Sequence, residues 1–399
     1  ELADAIGKEF PRKMVKTIAY SWTNEPPANM KARDNVVVMF CATAKSYIVP
    51  IESNPEDKNL RKNAEGWKRI CKNLSVYLYA CPADYYWFPT PCIYSFGKNI
   101  EWAHKIGIND IYMQISGFGG SFGSEAMDMR AWAYSRMMWN PNSSFNNLIK
   151  EFAKDNYGIA ADSILKTINR DALDSIDKDG REKKHDNNFA VPPHISISNI
   201  RKTNIEFEKA YNSIKDNETK KRFELFWIPY LWTDVWAGFT HIGSFDTKSS
   251  TWSIPMTDGK LRNRYAKLAK QFMIDHKING LREGVQINPQ TLAIDKMGIP
   301  WKAYSINDSK SSAVVVPEIG GNIFELKNNG LDFQPLKQCW MFALSRYPMQ
   351  AAWYDLINGS YISSYTTKIN TSSSILMEEK SNDRIIRKTV SVNNGIVNV

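Results

Sequence analysis

Four short apolar runs in the first 125 residues constrain this chain more than any other feature. They are "MVKTIAYSW" (14–22), "NVVVMFC" (35–41), "LSVYLYA" (74–80) and "INDIYMQIS" (108–116). Each is nearly continuous, the pattern of a parallel strand covered on both faces. Between them "EGWKRICKN" (65–73) and "NIEWAHKIG" (99–107) have helical spacing, and Gly107 is placed as a C-terminal stop. This is α/β grammar, compatible with half of a (β/α)8 barrel or one side of a doubly wound sheet. The loops after the strands are long, as in "ATAKSYIVPIESNPEDKN" and "CPADYYWFPTPCIYSF". Barrel enzymes build their sites from such loops, so residues 1–125 are expected to be the C-terminal half of a TIM-type barrel.

Beyond Ser124 the chain turns helical, and an α-helical region is expected over 126–285. Met127, Ala131, Tyr134 and Met138 fall on one helical stripe. "NPNSSFNNLIKEFAKDNYG" offers Ser144 as a cap and Gly158 as a stop, and Thr203 with Glu206 reads as a capping box opening a helix. "KRFELFWIPYLWTDVWAGF" and "KLRNRYAKLAKQFMIDHK" supply two more helices. From 286 to 399 short strands alternate with Gly and Asn turns, as in "AVVVPEIGGNIFELKNNGLDF", which predicts a β-sandwich-like domain. The opening "ELADAIGKEFPRK" lacks Met and reads as the middle of a helix, so residues upstream of it are expected.

Composition narrows the function. The net charge of +9 comes from lysines interleaved with acids, as in "DKDGREKKHD", with no basic stripe paired to aromatics. A nucleic-acid partner is therefore not expected. The five cysteines, Cys41, Cys71, Cys81, Cys92 and Cys339, form no C-x-x-C pair, and an odd count does not complete a disulfide framework. With five histidines and neither H-x-x-x-H nor H-E-x-x-H, no metal site is read. No run of 18 apolar residues predicts a membrane span.

The stretch "YMQISGFGGSFGSEAMDMRAW" (112–132) carries Gly117, Gly119, Gly120 and Gly123. A dinucleotide fingerprint needs its third glycine at position 122, which is Phe122, and no Lys-Ser/Thr follows for a phosphate loop. No cofactor is expected. The loop instead lets backbone fold tightly beside a ligand or another segment. Gln114 ends the strand, Phe118 and Phe122 offer ring faces, and Glu125 and Asp128 stand at the helix start, where a carboxylate also suits the helix dipole.

In a barrel, further groups meet this loop at the strand ends: Trp22, Asn24 and Glu25, then Lys45 and Tyr47, then Tyr79, Asp84, Tyr85, Tyr86 and Trp87. With 13 Trp, 18 Tyr and 18 Phe in the chain, a mouth of carboxylates, an amide and aromatics suits a sugar. Glycoside hydrolysis needs two carboxyl groups, one to protonate the leaving oxygen and one to activate water or attack. By position the candidates are Glu125, Glu25 and Asp84. Trp22, Tyr79, Tyr85, Trp87, Gln114, Phe118 and Phe122 are the candidate substrate contacts. No G-x-S-x-G elbow supports serine chemistry.

The blocks "KTIAYSWTNEPPANMKARDNVVVMFC", "NAEGWKRICKNLSVYLYA", "FPTPCIYSFGKNIEWAHKIGINDIYMQ" and "RAWAYSRMMWNPNSSFNNLIKEFAKDNYGIAA" resemble, over about residues 1–285, the bacterial family called domain of unknown function 4838. The resemblance implies α-glucuronidase-like, glycoside-hydrolase-type barrel proteins of secreted or periplasmic polysaccharide-degrading systems. It also implies barrel strands upstream of this chain and an oligosaccharide or polysaccharide partner. Where relatives carry Glu, His, W-D-Y and an E-Q pair, this chain has Ala44, Val49, Tyr77-Leu78-Tyr79 and Met113-Gln114. These departures point to the alternative, a non-catalytic glycan-binding or scaffold protein. A half-barrel alone also leaves apolar edges open, so the isolated chain is expected to be unstable or to aggregate.

Overall fold

A computed structural model describes residues 1–80, 87–115, 124–187, 191–238, 244–253, 256–282, 285–286, 300–318, 320–333, 365–381 and 384–399. Helix α1 (Leu2–Glu9) buries none of its residues and leads to strand β1 (Val15–Ala19). Then come β2 (Val36–Ala42), α2 (Lys58–Ile70), β3 (Asn73–Tyr79), α3 (Ile93–Lys105) and β4 (Asp110–Gln114). The four strands form one parallel sheet in the order β1-β2-β3-β4, with Ala19 opposite Phe40, Cys41 opposite Tyr77 and Tyr79 opposite Gln114. Parallel neighbours need long crossovers, and α2 and α3 supply two of them.

The α2 entry is held by side chains rather than propensity. Asn54 accepts from the Glu56 amide, and the buried Asp57 accepts from the Lys45 amide (2.9 Å) and the Asn54 side chain (2.8 Å). That pins the β2–α2 loop across the top of the sheet. Burial corrects one expectation. Val38, Phe40 and Cys41 of β2 and Leu74, Val76 and Leu78 of β3 are buried, but Lys16, Thr17 and Ile18 of β1 are exposed. The central strands are covered on both faces; the outer strand β1 is not.

The helical layer consists of α4 (Met127–Trp139), α5 (Phe145–Tyr157), α6 (Ala161–Asp174), α7 (Ile197–Ser213), α8 (Asn217–Ala237) and α9 (Gly259–Asp275). Between α8 and α9 lies a hairpin, β5 (Ser244–Asp246) with β6 (Thr251–Ser253). Ser144 and Gly158 bound α5 as expected, Gly158 with a positive φ of 49°. Two other expectations fail. The buried face of α4 is Met129, Arg130, Ala133, Tyr134 and Met137, one position off the anticipated stripe. Thr203 opens no helix; it lies inside α7, and its hydroxyl returns to the Asn199 carbonyl (2.9 Å) while receiving Arg170.

Helix α8 is buried on every side from Phe226 to Trp236, so it runs through the centre of the layer rather than along its surface. Buried polar groups fix its rotation. Asn204 of α7 donates to the Tyr230 carbonyl (3.0 Å) and to Asp234 (3.1 Å), and accepts from the Trp227 indole (2.8 Å). Asp234 in turn accepts from Arg201 (2.9 Å) and Arg262 (3.1 Å), tying α7, α8 and α9 together.

Beyond α9 come β7 (Gly280–Arg282), β8 (Val285–Gln286) and β9 (Trp301–Lys302), which pairs with β6. Strands β10 (Tyr304–Asn307), β11 (Ser311–Val316), β12 (Asn322–Asn328) and β13 (Leu331–Phe333) make one antiparallel sheet. Strands β14 (Thr366–Asn370), β15 (Ser374–Ser381), β16 (Arg384–Asn393) and β17 (Ile396–Asn398) make a second. The two sheets share an apolar cluster that includes Val315, Ile323, Ile375, Met377 and Val390. Among the described residues, no helix is long and apolar enough to cross a membrane.

Candidate functional site

Glu125, one residue before the α4 cap, joins the loop between β3 and α3 to the helical layer. The Glu125 side chain points inward and is 7% exposed. One carboxylate oxygen accepts from the Thr90 amide (2.9 Å), in the loop before α3. The other lies 2.5 Å from the Tyr230 hydroxyl of α8. The same hydroxyl is 3.2 Å from Asp171 of α6, whose second oxygen is held by Arg170 at 3.0 Å. Glu125 and Asp171 are therefore linked through a single phenol.

Beside them lies a second buried charge. The Arg130 guanidinium, 2% exposed, donates to Ser124, to the Ala80 carbonyl at the end of β3 (3.4 Å) and to the Cys92 sulfur (3.3 Å). Its Nε has no partner among the described residues.

Burial dominates the electrostatics. It pushes the Glu125 carboxyl up from its ordinary 4.5 to about 7, with the Asp171 charge adding to the rise. The hydrogen bonds from Tyr230 and Thr90 and the charge of Arg130 oppose it. Asp171 is also raised by burial, against the pull of Arg170. A carboxyl poised near neutrality can give up or take a proton at physiological pH, the property required of a general acid or base.

Of the other expected residues, those within the described part, Trp22, Glu25, Trp87, Gln114 and Tyr79, are exposed or engaged elsewhere. Trp22 is 91% exposed and Glu25 is exposed, both in the turn after β1, and among the described residues no hydrogen bond or ion pair joins Glu25 to Glu125. Their neighbour Asn24 is a staple: it donates to the Cys41 carbonyl (3.0 Å), and its own carbonyl accepts from the Trp67 indole (2.8 Å). Trp87 is buried and stands edge-on against Trp232, with ring centroids 4.5 Å apart. It is an anchor between layers, not a face for a ligand.

Gln114 is buried and accepts from the Tyr77 hydroxyl (2.7 Å). Tyr79 is half-buried, packed against Tyr77 and Tyr20, and burial raises its phenol. Asp84, Tyr85, Phe118 and Phe122 lie outside the described residues, as do the glycines at 117–123. Sequence reasoning missed Tyr230, Asp171, Arg130 and Thr90. The one available signal is the unbroken apolar run of α8, in which a tyrosine hydroxyl must find a buried partner.

Residues 1–169 match a family model described as "Domain of unknown function (DUF4838)". Comparison with curated proteins found no match.

Proposed function

Because residues 1–169 belong to the family of domain of unknown function 4838, we propose that this chain is part of a carbohydrate-active protein of the glycoside hydrolase type. In this reading it is α-glucuronidase-like, acts on oligosaccharide or polysaccharide outside the cytoplasm, and uses Glu125 as its proton donor. The observation that carries the reading is the buried Glu125 carboxyl, raised to about 7 beside the C-terminal end of β3. Residues 1–115 would be four strands of a (β/α)8 barrel. Strand order matching chain order, parallel throughout, supports that reading, as does the exposure of β1. Asp171, one hydroxyl away, adds its charge to the burial that raises Glu125.

The test is hydrolysis of a panel of aryl glycosides and uronic-acid-containing oligosaccharides by the intact protein. Activity should fall by on the order of a thousandfold in Glu125→Gln, and the wild type should lose activity as pH rises past about 7. An active Glu125→Gln variant would end the assignment. A second reading, a glycan-binding or scaffold protein, is favoured by one observation: both Glu125 oxygens are already engaged inside the protein. Saturable oligosaccharide binding without turnover would select it.

A further inference from the structure

A cavity of about 230 Å³ opens where the start of α4, the end of α5, the start of α8 and the end of α9 converge. Glu125 is not among its lining residues; Met127, Asp128, Tyr157, Arg222, Leu225 and Phe226 are. Tyr157 is 4% exposed, yet its hydroxyl makes no hydrogen bond among the described residues. Tyr157 lines the cavity, so an entering polar group can meet its hydroxyl. Burial raises this phenol, with the Asp128 carboxylate adding to the rise and the Arg222 guanidinium opposing it, and all three side chains line the cavity.

Asp128 and Arg222 are exposed at the rim, and neither makes an ion pair among the described residues. The backbone adds donors. Ala126 caps α4 in the left-handed region (φ 49°) and no side chain caps that end, which leaves the first N–H groups of α4 without a side-chain partner. Met127, Leu225 and Phe226 give the cavity an apolar wall.

We propose that this cavity binds a small zwitterion, an α-amino acid with an apolar side chain. Its carboxylate pairs with Arg222 and the N-terminal amides of α4, its ammonium with Asp128, and its side chain lies against Met127, Leu225 and Phe226. The Tyr157 hydroxyl completes the polar contacts. A simple anion would satisfy Arg222 but meet Asp128, a cation the reverse, and a neutral polyol would neutralise neither charge. The volume is below that of pockets for drug-sized ligands, which suits a single residue. The proposal is independent of the role given to Glu125.

Calorimetric titration of the intact protein with L-leucine and L-phenylalanine tests it, with N-acetyl-L-leucine, L-leucine methyl ester and glucose as comparison ligands. Saturable binding of a free amino acid is expected, weakened roughly tenfold or more by blocking either end. Asp128→Asn and Arg222→Met should each weaken it similarly, and Tyr157→Phe by several-fold. The blocked ligands are read on the wild type, so they decide the question even if a variant melts early. Absence of saturable amino-acid binding, preference for glucose, or affinity unchanged by blocking or by substitution overturns the proposal.

Discussion

One phenolic proton cannot serve two carboxylates. Tyr230 contacts both Glu125 and Asp171, so a proton on one of the two carboxyls relieves their competition for its hydroxyl. Burial assigns it to Glu125, raised to about 7. The linkage to stability has a definite sign. Between about 4.5 and 7 the folded state keeps a proton that the unfolded chain releases, so stability falls as pH rises, by on the order of 3 kcal/mol in total. His194 works in the opposite direction. Buried against the Pro89 carbonyl, it is lowered from 6.5 to about 4, so stability rises as pH climbs through that window. The two slopes overlap and largely cancel in the wild type. Glu125→Gln removes one of them, because its amide can accept from Thr90 and donate to Tyr230 without titrating. Melting temperatures across pH 4.5 to 7 should then rise more steeply in the variant than in the wild type. Parallel curves would refute the assigned proton.

At the scale of elements, the seam between the sheet and the helical layer depends on rings that look, in the sequence, like ligand contacts. Trp87 follows β3, where a sugar platform would stand; in the structure it wedges against Trp232 of α8. Trp87→Ala should therefore cost about 3–5 kcal/mol in denaturant unfolding. A loss of under about 1 kcal/mol would return Trp87 to the candidate ligand contacts. The central strands are legible because nearly continuous apolar runs, VVVMFCA in β2 and NLSVYLY in β3, suit little besides a strand covered on both faces. Helix α5 is legible because Ser144 and Gly158 punctuate it. The α4 face is not, because a buried arginine, Arg130, sits where periodicity alone expects an apolar residue. The Glu125–Tyr230 bond joins residues 105 positions apart and Tyr230–Asp171 joins residues 59 apart. No local spacing rule registers such pairs, so Glu125 is visible as a strand-end acid but its partners are not.

Across the whole molecule, β11 couples two apolar interiors. Val314 and Val316 belong to the large cluster shared by the parallel sheet and the helical layer, while Ala313 and Val315 belong to the cluster between the two antiparallel sheets. The period-two alternation of one strand thus serves both interiors, and β11 has no solvent face to relax into. The parallel sheet is the opposite case. Its outer strands β1 and β4 present Ile18 at 55% and Tyr112 at 51% exposure, and Tyr20 and Trp22 extend the apolar surface beyond β1. Outer strands that carry apolar side chains and free backbone groups recruit other strands. The chain is therefore expected to self-associate as its concentration rises, seen by sedimentation velocity. Replacing Ile18 and Tyr112 together by lysine should shift it toward monomer, because charge on an outer strand opposes pairing, while loss of the Tyr112–Tyr77 ring contact should cost about 1 kcal/mol of unfolding stability. A wild type that stays monomeric at high concentration refutes an adhesive sheet, and a double variant that associates as strongly as the wild type places the adhesive surface elsewhere.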